Sequence, residues 1–64
     1  GFKAFAHLHD GRLFVAAGRR NERGVRTGVC DVRVADAAGR FSDFFHDATA
    51  TVAGALRTWL LTRG

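Results

Sequence analysis

Apolar and polar residues alternate along most of the chain, and the alternation gives way to a longer period only near its end. In the first stretch, residues 2–8, Phe2, Ala4, Ala6 and Leu8 share one face of a strand, with Lys3, Phe5 and His7 on the other. His9-Asp10-Gly11 supplies turn chemistry, because Asp hydrogen-bonds its own backbone and Gly accepts positive φ. A second strand, Arg12 to Ala17, groups Leu13, Val15 and Ala17. Residues 18–24, "GRRNERG", carry three arginines and no large apolar side chain, so they read as an exposed connection closing a hairpin. The third strand, Val25 to Ala35, sets Gly28, Cys30, Val32 and Val34 against Thr27, Val29, Asp31 and Arg33, the first set being the drier. "ADAAG", residues 35–39, places Asp36 and Gly39 at the spacing of a short hairpin loop, and a fourth strand starts near Arg40.

After Asp47 two periods compete. A helix capped by Asp47 would align Val52, Leu56, Trp59 and Leu60 at i, i+4, i+7 and i+8. Against it stand the β-branched Thr49, Thr51 and Val52 and the breaker Gly54, which favour a strand to Val52 followed by a helix over residues 55–62. The second reading is preferred. Four consecutive strands with short connections make an antiparallel meander, and the fold class is α+β, with a short C-terminal helix as partial cover.

Length sharpens this picture. A chain of 64 residues is one small domain that hides only about 60% of the surface its unfolded chain exposes. Yet 47% of its residues are hydrophobic, including six Phe and one Trp, more than a body of this size easily encloses. That excess points to a covering partner or a missing half, and a start at Gly1 with no Met in the chain is read as the mark of a fragment or a processed product. The single Cys allows neither an internal disulfide nor a Cys-based zinc site, which suits a reducing, cytoplasmic setting. No apolar run reaches the roughly 18 residues of a membrane span. Ten Lys and Arg against six Asp and Glu give a net charge of +4, which favours anionic partners.

Candidate chemistry is sparse. His7 and His9 lie two apart on one strand face, and Asp10 or His46 is a conceivable third ligand, but exposed polar residues on the outer face is the favoured reading, and no metal or other cofactor is expected. Cys30 has no base beside it and reads as a small apolar residue. Arg19, Arg20, Arg23 and Arg26 surround one hairpin loop with only Glu22 to offset them, the strongest functional signal in the chain.

The order "RTGVCDVRV", a turn ending in "GR", then "FSDFFHDATATVAG" resembles the C-terminal half of a hotdog-fold acyl-CoA thioesterase of the phenylacetate-degradation (PaaI-like) family. The resemblance covers about residues 9–54, within a single partial hotdog-like domain spanning residues 1–64. It rests on Arg26, Thr27, Gly28, Asp31, Val32, Gly39 and Phe45, with "HDGRLFVAAGRR" similar to the preceding strand. Cys30 departs from the aromatic that is common in the family, and His46-Asp47 stands in place of an Arg-Gly pair. The family's His-Gly-Gly segment and acid-bearing long helix have no counterpart in this chain, so no catalytic residue is carried over. The resemblance implies an acyl-CoA partner whose anionic end meets Arg26, Thr27 and Gly28, with Arg23 joining from the loop, and thioester hydrolysis only in a complete fold. Two other readings of the same residues stand beside it. One is a basic hairpin that binds nucleic acid; the other is a structural half-domain that forms homo-oligomers through its sheet edges.

Overall fold

The computed structural model describes residues 4–63. Four strands, β1 (Phe5–His9), β2 (Arg12–Arg20), β3 (Arg26–Ala35) and β4 (Phe41–Thr49), form one antiparallel sheet in chain order, and α1 (Ala50–Arg63) follows. The expected α+β meander with a C-terminal helix is therefore the observed architecture. Among the described residues, no helix is long and apolar enough to cross a membrane.

Turn chemistry sets the register. Asp10 and Gly11, at φ 52° and 73°, make the two-residue turn that pairs His9 with Arg12. The other two hairpins share one design. Asn21 Oδ1 accepts from the N–H groups of Arg23 and Val25 at 2.9 and 3.1 Å, and Asp36 Oδ1 accepts from Ala38 and Arg40 at 2.9 and 3.0 Å. Three residues after each, Gly24 and Gly39 take up positive φ and donate back to the carbonyls of Asn21 and Asp36.

Pairing assigns the faces. Phe5, His7 and His9 of β1 oppose Ala16, Phe14 and Arg12 of β2, and Phe14 and Ala16 oppose Val34 and Val32 of β3. α1 covers this face, burying Ala53 against Ala16, Cys30, Val32 and Ala48, with Phe5 and Leu56 packed alongside, and Leu60 is also fully buried. Most of these core positions are small, so the helix backbone approaches the sheet closely.

The strand and helix bounds and one strand face differ from expectation. In β1 the face turned to the helix is Phe5, His7 and His9, while Leu8 is 68% exposed on the reverse side; Phe2 and Lys3, also assigned to this strand, lie outside the described residues. The two histidines are thus not on an outer face. β2 runs on to Arg20, three residues past Ala17, leaving residues 21–25 as the loop. β4 ends at Thr49 rather than Val52, and the helix starts five residues before position 55. Thr49 rather than Asp47 caps it, its Oγ1 accepting from the Val52 N–H at 3.2 Å.

Gly54 therefore lies inside a helix, where a Cβ would meet nothing within 4 Å. Gly54→Ala is expected to stabilise the fold by about 0.5–1 kcal/mol, because glycine loses more backbone entropy on ordering. An unchanged or lower urea midpoint would contradict the placement of this residue in α1.

Candidate functional site

Three irregularities in the ladder decide where the polar and aromatic side chains go. Between Cys30↔Ala48 and Val32↔Phe45, Asp31 alone opposes both His46 and Asp47. This bulge holds Asp47 at φ 59° and turns its N–H onto Asp31 Oδ1 at 3.2 Å. Arg19, brought alongside on β2, donates Nε and Nη2 to the two Asp31 oxygens at 3.1 and 2.8 Å, and also pairs with Asp47. His46 Nδ1 lies 3.0 Å from Asp31 Oδ1. The Arg19 hydrogen bonds, reinforced by the Asp47 N–H, pull the Asp31 carboxyl down to about 2, and the same carboxylate raises Arg19 further above its ordinary value. Asp31, His46 and Asp47 gather within 4.8 Å, the spacing of a metal site, but the Arg19 guanidinium already supplies the positive charge there. His7 and His9 take no part in this group.

Arg19 thus spends its guanidinium on two carboxylates, although it still borders the recess formed by its arginine neighbours. Arg20 and Arg26 are a paired position of the ladder, and together with Gly18, Arg19, Gly28 and Val29 they border an open recess of about 430 Å³. Between Gly18↔Cys30 and Arg20↔Arg26, three residues of β3 face one of β2. Gly28 takes φ 83° in this stretch, which an L side chain resists although space for a Cβ exists. Thr27 spends its hydroxyl on the Arg19 carbonyl at 3.0 Å, and Arg20 Nη1 donates to the Gly24 carbonyl at 2.7 Å. Of the four expected contact residues, Arg26 and Gly28 border the recess and Thr27 braces its wall. Arg23 sits in the loop with its N–H held by Asn21 and does not border the recess.

The third irregularity was not legible in the sequence. Val32↔Phe45 and Arg33↔Asp43 leave Phe44 without an opposite residue, so two consecutive phenylalanines line the same groove, which strict alternation forbids. Their rings meet edge to face at 4.8 Å, and Phe44 meets Phe14 at 5.3 Å. The opposite wall is a helical stripe, Val52, Ala55, Leu56 and Trp59, and the groove between holds about 560 Å³. At its end His9 packs against Trp59 at 5.1 Å. His7 Nε2 and His9 Nδ1 are both shielded from water without a hydrogen-bond partner among the described residues.

Cys30 is 1% exposed in the core, as expected from its face of β3, and burial, then the neighbouring Asp31 charge, pushes its thiol up. Alkylation by iodoacetamide at neutral pH is expected only at the rate of unfolding; fast labelling of the folded chain would show that the core is open there.

No family model, curated protein or solved structure matches this chain.

Proposed function

We propose that the chain binds the anionic end of coenzyme A at the recess between β2 and β3, as a segment of an acyl-CoA thioesterase-type hotdog fold that lacks catalytic groups of its own. The observation that carries this reading is the convergence of Arg20 and Arg26 with the positive-φ Gly28 on one open recess. Guanidinium groups give charge-assisted hydrogen bonds to phosphate oxygens, and coenzyme A offers a pyrophosphate and a ribose phosphate. The role of each residue follows from its place. Arg26 and Arg20 hold phosphate, Gly28 lets the ligand approach the backbone, and Thr27 fixes the spacing of β2 and β3 through Arg19. Arg23, in the loop away from the recess, adds only long-range attraction that salt screens.

Catalysis is assigned elsewhere in a complete fold. Thioester hydrolysis requires a carboxylate or an activated water at the carbonyl and N–H donors for the oxyanion. The best-placed acid here, Asp31, is locked by Arg19 and held down at about 2, a poor base at neutral pH. Apart from coenzyme A as ligand, no cofactor is invoked.

Isothermal titration with coenzyme A and phenylacetyl-CoA tests the proposal. Arg26→Gln is expected to weaken binding of both about tenfold, as expected for one lost charge-assisted contact. Binding unaffected by Arg26→Gln, or a stronger and steeply salt-dependent response to random duplex DNA, would replace it with a nucleic-acid reading. Rapid release of thiol from phenylacetyl-CoA by the isolated chain would overturn the assignment of catalysis to other residues.

A further inference from the structure

The aromatic groove is independent of the arginine recess: Arg12 opens β2 and Arg20 closes it, about 26 Å apart at strand rise. A second recess, of about 350 Å³, adjoins the groove and shares Arg12, Phe14 and Phe44 with it. The two form one continuous concavity on the helix side of the sheet. Its volume lies within the range of small-molecule sites, and its walls are apolar with few polar groups, as such sites require.

Charge selects the ligand. Arg12 shares the inward face of β2 with Phe14, placing its guanidinium at the junction of the two recesses. Arg40 borders the smaller recess from the start of β4. Among the described residues, the ion pairs involve Arg19, Arg33 and His46, and neither Arg12 nor Arg40 has a carboxylate partner. Asp36 borders the same recess, but its Oδ1 is taken by the N–H groups of Ala38 and Arg40. Asp10, in the β1–β2 turn, is the opposing charge at the groove mouth, and Arg63 lies over the Trp59 ring 5.7 Å from its centre. Two unpaired guanidinium groups beside an aromatic slot favour an anion with an apolar tail over a cation or a neutral molecule.

We propose that this concavity binds a small soluble amphipathic carboxylate, an aryl group on a short alkyl chain, with its ring between Phe44, Phe45 and Trp59 and its carboxylate between Arg12 and Arg40. The groove holds the tail because its solvent-exposed aromatic walls gain by covering a ring. Arg12 reads the head.

Trp59 is the only tryptophan, and the chain has no tyrosine, so intrinsic fluorescence reports on the groove directly. Titrations with phenylbutanoate, phenylbutanol and phenylbutylamine, repeated by calorimetry, separate head from tail. The carboxylate is expected to bind about tenfold more tightly than the alcohol, with the amine weakest. Arg12→Gln should erase that preference, Arg12→Lys should retain part of it, and Asp10→Asn should tighten the carboxylate about twofold. Arg12 and Asp10 are surface residues, so these variants should keep the parent unfolding midpoint. Equal binding of acid and alcohol, or an Arg12→Gln variant that keeps the preference, overturns the proposal. So does a Trp59 response confined to phosphatidylglycerol vesicles, which would mark a membrane surface as the source of the anion. Arg26→Gln is expected to leave phenylbutanoate binding unchanged, which keeps this result separate from the fate of the coenzyme A site.

Discussion

Leu60→Ala is expected to lower the unfolding free energy by about 3 kcal/mol, while Leu61→Ala next to it changes stability by less than about 1 kcal/mol. Leu60 is fully buried and Leu61 is 56% exposed, although the two are adjacent and chemically identical. With alanines at Ala16, Ala48 and Ala53, few large side chains anchor α1 to the sheet. Removing three heavy atoms from the fully buried Leu60 leaves a void in a fold with few other large buried side chains to relax into it. For a domain this small, such a loss is a large share of total stability. Urea unfolding followed by far-ultraviolet circular dichroism measures both variants. Equal effects of the two substitutions would mean that α1 is rotated on the sheet from the position described.

Asp31→Asn is expected to alter the acid limb of stability. The folded carboxyl titrates at about 2 against an ordinary 3.8, so its contribution is complete above the unfolded value and is lost as pH falls through the folded one. The asparagine variant keeps the shape of the side chain but not the charge that holds Arg19, and it weakens the acceptor for the Asp47 N–H. Its urea midpoint should therefore fall furthest below that of the parent near neutral pH, and the gap should close between about pH 4 and pH 2. A gap that is constant across this window would assign the effect to packing rather than to the Asp31 charge.

Turn residues carried most of the legible information. Asp10-Gly11, Asp36 with Gly39, and the glycine-rich connection after β2 divide the chain into hairpins, and hairpins in series leave little choice of strand order. Alternation placed Cys30 and Val32 on the buried face correctly. It misled at β1, because small alanines look apolar yet bury little, while the aromatic and imidazole rings of Phe5, His7 and His9 gain more by facing the helix. The helix start was hidden by local propensity. Thr51 and Val52 favour strands weakly, but a threonine cap and contact of Ala53 with the core outweigh that preference. The candidate site was legible in part. Arg26 and Gly28 border the recess, whereas the pairing of Arg19 with two carboxylates depends on a bulge that places His46 and Asp47 opposite one residue. The consecutive phenylalanines of the groove depend on the next irregularity along the same strand. No signal in a two-residue period marks an extra residue, although the pairing of two adjacent large aromatics in "DFFHD" is the feature that a bulge would explain.

The most direct test of the account is a nuclear magnetic resonance titration of the isotope-labelled chain with coenzyme A. Saturable shifts are expected at the amides of Arg20, Arg26 and Gly28, with the Asp10-Gly11 turn unmoved. Shifts absent at saturating ligand, or centred on that turn and the aromatic groove instead, would contradict it.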